Sequence, residues 1–211
     1  MAQSRIPNNN KTFFDDSTAM SIVTPAGNAT KTSYSPFGSN WSQYFDGNDT
    51  VQLPSGSTAF TFGTGDFTVE TWAYFKYIPS TYVHLAGTAV SSGGFGFGLS
   101  GSSNTGAMYM TTSVTGYVSG TQSIEVDKWY HLAWTRKNGL VNFWLNGVLN
   151  YSPGVVSTDI TETGGTVGGI GTQYYTFGYI SNLRVYKGVS LYNSNFTPST
   201  KPSLPAETRW H

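Results

Sequence analysis

The sequence predicts an all-β protein, a two-sheet antiparallel β-sandwich, on three observations. Of the 211 residues, 25 are glycine, 16 % are aromatic and only 10 % are charged, a balance typical of short strands joined by turns. Side chains alternate with a period of two, and no segment of comparable length repeats every ~3.6 residues. Turn residues recur at intervals of about 8 to 12 residues, as they do in sandwiches and barrels.

The segment DFTVETWAYF, residues 66–75, shows the alternation most clearly. One face consists of every second residue: Phe67, Val69, Thr71, Ala73 and Phe75. The residues between them form the other face: Thr68, Glu70, Trp72 and Tyr74. The pattern predicts a strand with other structure packed on both of its faces.

A three-strand meander is predicted in WYHLAWTRKNGLVNFWLNGVLN, residues 129–150. The Asn138-Gly139 and Asn146-Gly147 pairs mark its two turns, because Asn-Gly adopts the two positive φ angles of a type I′ turn. The strands are expected at about 129–136, at about 140–145 and from Val148 onward.

One domain is expected at residues 11–196, since a sandwich of this length needs no second core. Residues 1–10, which include three consecutive asparagines, are predicted to form a polar N-terminal arm. Residues 197–211 contain three prolines and are predicted to form an extended tail, because proline cannot join a central strand. Both segments are expected to become ordered against partners.

Composition argues against several classes of function. Eleven basic and eleven acidic residues give a formal net charge of zero without a cluster, which disfavours nucleic acid and anionic lipid as partners. The absence of cysteine rules out disulfides, thiolate metal sites and a cysteine nucleophile. No apolar stretch has the length of a signal peptide or a membrane span, so we expect a soluble protein without a classical export signal.

The order of four motifs resembles the laminin-G-like, concanavalin A-like jelly-roll superfamily, in its short bacterial and bacteriophage form. The motifs are YFDGNDTVQLP at 44–54, FTFGTGDFTVETWAYF at 60–75, WYHLAWTRKNGLVNFWLNGVL at 129–149 and FGYISNLRVYKGVSLYNSNFTPST at 177–200. The resemblance covers roughly residues 12–204 and implies two curved antiparallel sheets stacked face to face. Many members bind carbohydrate and some hold calcium at one rim. The closing motif is most similar to virion proteins of tailed phages.

Catalytic chemistry is not expected. Hydrolases on this fold carry two or three carboxylates along one strand, with the acid and the nucleophile about 5 to 5.5 Å apart for retaining hydrolysis. The nearest approaches to that pattern are Asp66 with Glu70 and Glu125 with Asp127, and each pair is too sparse or too close to a turn to fit it. We interpret Glu70 as a satisfied or edge-facing carboxylate and His131 as a packed strand histidine.

Calcium is a candidate ligand, although no cofactor is required by the sequence. Asp46, Asn48 and Asp49 in DGND offer the oxygen donors that calcium accepts, yet the rest of an EF-hand loop is missing. The alternative is a turn in which these side chains bond to the backbone.

Aromatic residues divide into two groups. The tryptophans Trp72, Trp129, Trp134 and Trp144 fall within alternating strands, which assigns them to packing in the core or on a sheet face. The better ligand-binding candidates are rings expected in loops, with one neighbouring amide: Tyr82, Tyr117, Gln173, Tyr174 and Tyr175. Ligand binding, a subunit interface and plain packing all remain open for this group.

The leading interpretation is a non-enzymatic virion structural protein of a tailed bacteriophage, assembled in the host cytoplasm. It would decorate the capsid or form part of a fibre or tail, with other virion proteins, further copies of the chain and host-surface polysaccharide as partners. The alternatives are a carbohydrate-binding adhesion module outside a virion and a glycan hydrolase, which the carboxylate pattern disfavours.

Overall fold

The computed structural model describes residues 13–16, 19–22, 24–38, 42–88, 93–101, 106–112, 116–171 and 173–200, and these are built from β-strands. The predicted arm and residues 201–211 of the predicted tail lie outside the described residues. The strands are β1 Phe13–Asp16, β2 Ala19–Ile22, β3 Thr24–Ala26, β4 Thr30–Thr32, β5 Ser42–Asp46, β6 Thr50–Gln52, β7 Phe67–Tyr77, β8 Tyr82–Gly87, β9 Phe95–Ser100, β10 Ala107–Thr112, β11 Gly116–Ser123, β12 Trp129–Lys137, β13 Leu140–Leu145, β14 Val148–Val155, β15 Thr166–Val167 and β16 Phe177–Lys187.

Two seven-stranded sheets form the sandwich. Sheet I has the order β11-β10-β9-β8-β15-β6-β3, sheet II has the order β14-β13-β12-β7-β16-β5-β4, and β1 pairs with β2 in a separate hairpin. All pairs among the described strands are antiparallel, which confirms the predicted fold class. Within the described ranges, no helix has the length and apolar character that crossing a membrane requires.

The predicted alternation of β7 is confirmed. Phe67, Val69 and Phe75 are fully buried in the core between the sheets. Glu70, on the opposite face of the strand, is only 3 % exposed, so β7 is indeed covered on both sides. A protein interior of this kind is closely packed, and rings from both sheets interlock in it.

The predicted meander is also confirmed, as β12, β13 and β14. Asn138 and Gly139 have φ angles of 49° and 82°, and Asn146 and Gly147 have φ angles of 51° and 81°. Two consecutive positive φ angles are the requirement of a type I′ turn, which matches the right-handed twist of the flanking strands.

The tryptophans lie where their alternation places them. Trp134 is fully buried and its ring centroid is 4.5 Å from that of Phe97, so it joins sheet II to sheet I through the core. Trp144 is buried on the other face of sheet II, while Trp72 and Trp129 are half-buried there. All four therefore serve packing.

Residues 189–200, which we call the strap, cross the outer face of sheet II. The rings of Tyr192 and Phe196 are stacked with centroids 3.5 Å apart, and Phe196 also packs edge-on against Trp144. The backbone N–H of Phe196 donates to the carbonyl of Gly147 at 2.8 Å. A Cβ at Gly147 would lie 1.9 Å from the Phe196 carbonyl oxygen, so this close approach requires glycine as well.

Candidate functional site

A cleft of about 400 Å³ opens at one rim of the sandwich, within the roughly 300–1,000 Å³ typical of small-ligand sites. It lies where the chain passes between the sheets, so its walls come from the ends of β5, β7, β8 and β16 and from their connections. The lining residues are Asp46, Gly47, Tyr77, Pro79, Thr81, Tyr82, Tyr174, Tyr175 and Phe177.

The cleft brings together residues that the sequence singled out separately. Tyr82, Tyr174 and Tyr175 come from the group of candidate binding rings, and Asp46 comes from the candidate calcium loop. Antiparallel pairing of β5 with β16 sets Asp46 opposite Phe177, which carries the tyrosine loop to the same rim. Long-range sheet register therefore assembles the site.

The loop of Tyr174 and Tyr175 joins β15 to β16, as predicted. Two hydrogen bonds close its turn, from Ile170 N to Gln173 O at 3.0 Å and from Gln173 N to Ile170 O at 2.9 Å. Tyr174 follows with a φ angle of 55°, a left-handed conformation that costs a bulky residue about 1–3 kcal/mol. The carbonyl of Tyr174 accepts the N–H of His84 at 2.7 Å, which anchors the strained residue to sheet I.

The rings of the cleft form a corner rather than a stack. The rings of Tyr82 and Tyr174 have centroids 5.7 Å apart and planes 87° apart. Tyr82 also packs against Tyr109, at 5.2 Å, on the adjoining part of sheet I. Tyr175 lies so close to Gly169 that a Cβ there would be 2.7 Å from its Cδ1. The rings of Tyr82 and Tyr174 therefore meet at nearly a right angle among the residues that line the cleft.

His84 supports this corner from below. Its Nδ1 lies 3.1 Å from the hydroxyl oxygen of Tyr109, and its side chain is 1 % exposed. Burial lowers the pKa of His84 to about 3, because the charged imidazolium would lose its hydration there. His84 therefore stays neutral under ordinary conditions and does not line the cleft itself.

The candidate calcium loop is a hydrogen-bonded turn between β5 and β6. Asp49 is 1 % exposed, and its two carboxylate oxygens accept the N–H of Asn28 at 2.6 Å and the N–H of Asp46 at 3.0 Å. The side-chain amide of Asn48 is assigned with its nitrogen, rather than its oxygen, facing the two carboxylates. In that orientation the nitrogen donates to Asp46 Oδ1 at 2.9 Å and to Asp49 Oδ1 at 3.2 Å.

This donor set fits a turn better than it fits calcium, which takes six to eight oxygen ligands. Both oxygens of Asp49 already accept backbone N–H groups, and Asn48 presents its nitrogen to the carboxylates. Among the described residues, no group of three or more His, Cys, Asp or Glu side chains is placed to hold a metal ion. Calcium binding at this loop stays a prediction.

Glu70 and His131 lie beneath the strap, on the outer face of sheet II, and neither lines the cleft. Glu70 Oε2 accepts the Tyr192 hydroxyl at 2.6 Å and lies 3.2 Å from His131 Nε2. Glu70 Oε1 lies 3.3 Å from Arg184 Nη1. The interpretation of Glu70 as a satisfied carboxylate is confirmed, because each of its oxygens has a partner.

Two of the candidate binding residues do not line the cleft. Tyr117 was expected in a loop, but it belongs to β11 and lies opposite Thr111 of β10. Antiparallel pairing with β10 makes this segment an edge strand of sheet I. Gln173 lies in the predicted loop, next to Tyr174, but is not among the lining residues of the cleft.

Sequence reasoning missed five lining residues: Gly47, Tyr77, Pro79, Thr81 and Phe177. Tyr77 and Phe177 are at the end of β7 and the start of β16, so the alternation made them look like strand residues. The signal that could have found them is Pro79, which cannot continue a central strand and which lies in the connection from β7 to β8.

The sequence model of the concanavalin A-like lectin/glucanases superfamily matches residues 45–191, more than half of the chain. No match was found among curated proteins. Many solved structures are similar, and they share the sandwich at low sequence identity.

One similar structure is domain 4 of AbnA, a GH43 extracellular arabinanase from Geobacillus stearothermophilus, in complex with arabinotriose. Its TM-score is 0.63 and its identity 20 %, covering 79 % of this chain and 82 % of that domain. A putative carbohydrate-binding protein from Bacteroides ovatus has a TM-score of 0.50 and 15 % identity, covering 70 % of this chain and 47 % of that protein. The Trypanosoma rangeli sialidase has a TM-score of 0.59 and 16 % identity, covering 86 % of this chain and 29 % of the sialidase. The chain thus spans less than half of the latter two proteins.

Proposed function

The chain belongs to the concanavalin A-like lectin/glucanases superfamily, and we propose that it is a carbohydrate-binding module whose ligand occupies the rim cleft. The observation that carries the proposal is the convergence of Tyr82, Tyr174 and Tyr175 with Asp46 around one cavity of ligand size. Similar domains support it: one belongs to an arabinanase and holds arabinotriose, and another is a putative carbohydrate-binding protein.

The chemistry of the cleft suits a sugar. Sugar rings present apolar C–H faces, which pack on aromatic faces, and hydroxyls, which need hydrogen-bond partners. The corner of Tyr82 and Tyr174 supplies the aromatic surfaces, while Asp46 and Thr81 supply polar groups. The strain held at Tyr174 is of the kind that accumulates at binding sites, where a ring must be fixed in place before the ligand arrives.

The proposed activity is binding without catalysis. Glycoside hydrolysis needs two carboxyl groups flanking the bond to be broken, and Asp46 is the carboxylate among the lining residues of the cleft. Glu70, the carboxylate buried in sheet II, is committed to Tyr192, His131 and Arg184. We expect no release of reducing ends from any polysaccharide that binds.

A binding experiment with two cleft variants tests the proposal. Against a panel of polysaccharides, Tyr174→Gly and Tyr175→Ala are each expected to lower affinity about tenfold, the loss of one aromatic stacking contact. Tyr174→Gly is expected to change the free energy of unfolding by no more than about 1 kcal/mol, because glycine accepts the left-handed φ angle without strain. Isothermal titration calorimetry and urea denaturation give the two readouts.

The matched control is Tyr186→Ala, a tyrosine near the other end of β16 that does not line the cleft. It is expected to leave affinity unchanged. Each titration is run with calcium and with a chelator, because calcium binding at the candidate residues Asp46, Asn48 and Asp49 would raise affinity or stability in the first condition. If no glycan binds in either condition, or if the two cleft variants bind as well as the parent protein, the proposal fails.

The proposed setting of the module is the virion of a tailed bacteriophage, assembled in the host cytoplasm, with other virion proteins and further copies of the chain as partners. Its support is the closing motif at 177–200, which resembles virion proteins, whereas the similar structures point only to carbohydrate. Mass spectrometry of purified phage particles and the native mass of the protein test the setting. If the chain is absent from the particles and monomeric in solution, the interpretation that remains is an adhesion module outside a virion.

A further inference from the structure

We propose that the cleft selects neutral sugars and rejects acidic ones, with Asp46 as the discriminating residue. This inference rests on the proposed carbohydrate binding and adds the chemical class of the ligand. Asp46 is the one charged side chain among the residues lining the cleft, and the other polar contributions come from threonine, tyrosine and backbone groups. A sugar carboxylate that entered the cleft would meet a like charge and no cation from these lining residues.

A second carboxylate, that of Asp49, strengthens the negative electrostatic potential around Asp46. Asp49 lies on the same turn, 1 % exposed, and its Oδ2 accepts the backbone N–H of Asp46 at 3.0 Å. A ligand of like charge that is brought against such a site meets repulsion, which is one way in which binding sites reject the wrong partner. Because Asp49 is shielded from water, solvent screens its charge less than it would screen a surface carboxylate.

Lys76 does not offset this charge through an ion pair. It precedes the lining residue Tyr77 but is not itself among the residues that line the cleft. Its ammonium lies over the rings of Tyr44 and Tyr179, 5.6 Å and 5.8 Å from their centroids, on the outer face of sheet II. The ammonium is therefore engaged by these two rings, and it forms no ion pair with Asp46.

Asp46 is also held in position. Its Oδ2 accepts a hydrogen bond from the Asn28 side-chain amide at 3.0 Å. Its Oδ1 accepts one at 2.9 Å from the Asn48 side-chain amide, whose nitrogen faces the carboxylates. A carboxylate oxygen has two lone pairs, so each can still accept a hydroxyl hydrogen from a neutral sugar. The same atoms that accept the hydroxyls of a neutral sugar would repel a uronate or a sialic acid.

The test uses a matched pair of ligands. Arabinan, galactan, xylan and glucans are first screened for a neutral polysaccharide that binds. That polymer is then compared with its own oxidised form, in which the hydroxymethyl groups have become carboxylates. Polygalacturonate, alginate and polysialic acid are added as further acidic polymers. In chelator and at low salt, the acidic member is expected to bind about tenfold more weakly or worse. Raising the salt concentration should reduce this difference in affinity between the neutral and the acidic polymer, since ions screen the repulsion.

Asp46→Asn is expected to bring the acidic member to within about threefold of the neutral one, since it removes the charge that faces the ligand. Glu125→Gln removes the charge of an exposed carboxylate that is paired with Lys128, and it should leave the difference in affinity between the two polymers unchanged. Equal or tighter binding of acidic polymers, with or without calcium, overturns the inference while the proposed function stands. Binding to no polymer, neutral or acidic, overturns both.

Discussion

Replacing Arg136 with methionine is expected to lower the free energy of unfolding by about 3 kcal/mol. Arg136 lies in β12 and is fully buried. Its three nitrogens donate to three backbone carbonyls: Nε to Gly65 at 2.7 Å, Nη2 to Gly63 at 2.7 Å and Nη1 to Thr158 at 3.0 Å. One side chain thus ties the connection before β7 to the loop after β14.

The magnitude follows from two opposing effects. Hydrogen bonds from a charged donor contribute roughly 1.5–3 kcal/mol each, and carbonyls left without a partner add to the loss. Burying the cation costs several kcal/mol, which the substitution recovers. Burial accordingly lowers the pKa of Arg136, although the charges of Asp66 and Asp159 act in the opposite direction. The hydrogen bonds outweigh the recovered burial cost because three of them are lost together.

Urea denaturation measures this effect. Arg136→Lys is expected to lose nearly as much stability, because a single ammonium cannot reach three separate carbonyls and its charge stays buried. Lys137→Met is the matched control: Lys137 is the next residue on β12 but is exposed, so its substitution should change stability by less than about 0.5 kcal/mol. Equal unfolding midpoints for Arg136→Met and Lys137→Met would contradict the role assigned to Arg136.

Features decided by local physics could be predicted from the sequence. The two Asn-Gly turns and the alternation of β7 depend only on residues a few positions apart, and both lie where expected. The cleft could be predicted only in part, because Asp46, Tyr82 and Tyr174 meet through strand pairings between distant segments. Their types could be recognised as binding residues, but a pattern with period two does not tell which loops share a rim.

Arg136 shows why some packing could not be predicted. An arginine between Thr135 and Lys137 suggests a solvent-exposed position from its charge alone. In the structure it is buried, because the distant loops at 63–65 and 158 supply carbonyl partners for it. Tyr117 shows the opposite case. Flanking glycines suggested a loop, whereas long-range pairing with β10 recruits the segment into a sheet edge.

Acid is expected to destabilise the protein through Glu70, and Glu70→Gln is expected to remove that part of the pH dependence. Burial alone would raise the pKa of Glu70, but hydrogen bonds from His131 and Tyr192 and the charges of His131 and Arg184 outweigh it, so the pKa lies below its ordinary value of 4.5. The unfolded chain therefore takes up the proton first.

It follows that the contribution of Glu70 is fully present above about pH 4.5 and is lost as the pH falls through the lower pKa of the folded protein. At pH 7, Glu70→Gln should lower the free energy of unfolding by about 3 kcal/mol, because Arg184 stays half-buried without its carboxylate. As the pH falls below about 4.5 the difference in stability between the two proteins should shrink, and it should be lost once the pH has passed through the lower pKa of folded Glu70, where the parent protein has lost the same charge.

Urea denaturation of both proteins at pH 7, 5, 4 and 3 measures this difference directly, and contributions from other carboxylates cancel in the subtraction. Glu125→Gln serves as the control, because its carboxylate is 66 % exposed and such surface ion pairs contribute roughly 0–1 kcal/mol. Since Tyr192 belongs to the strap, hydrogen exchange of residues 189–200 should speed up in Glu70→Gln and not in Glu125→Gln. A stability difference that stayed constant from pH 7 to pH 3 would show that Glu70 acts through packing rather than charge.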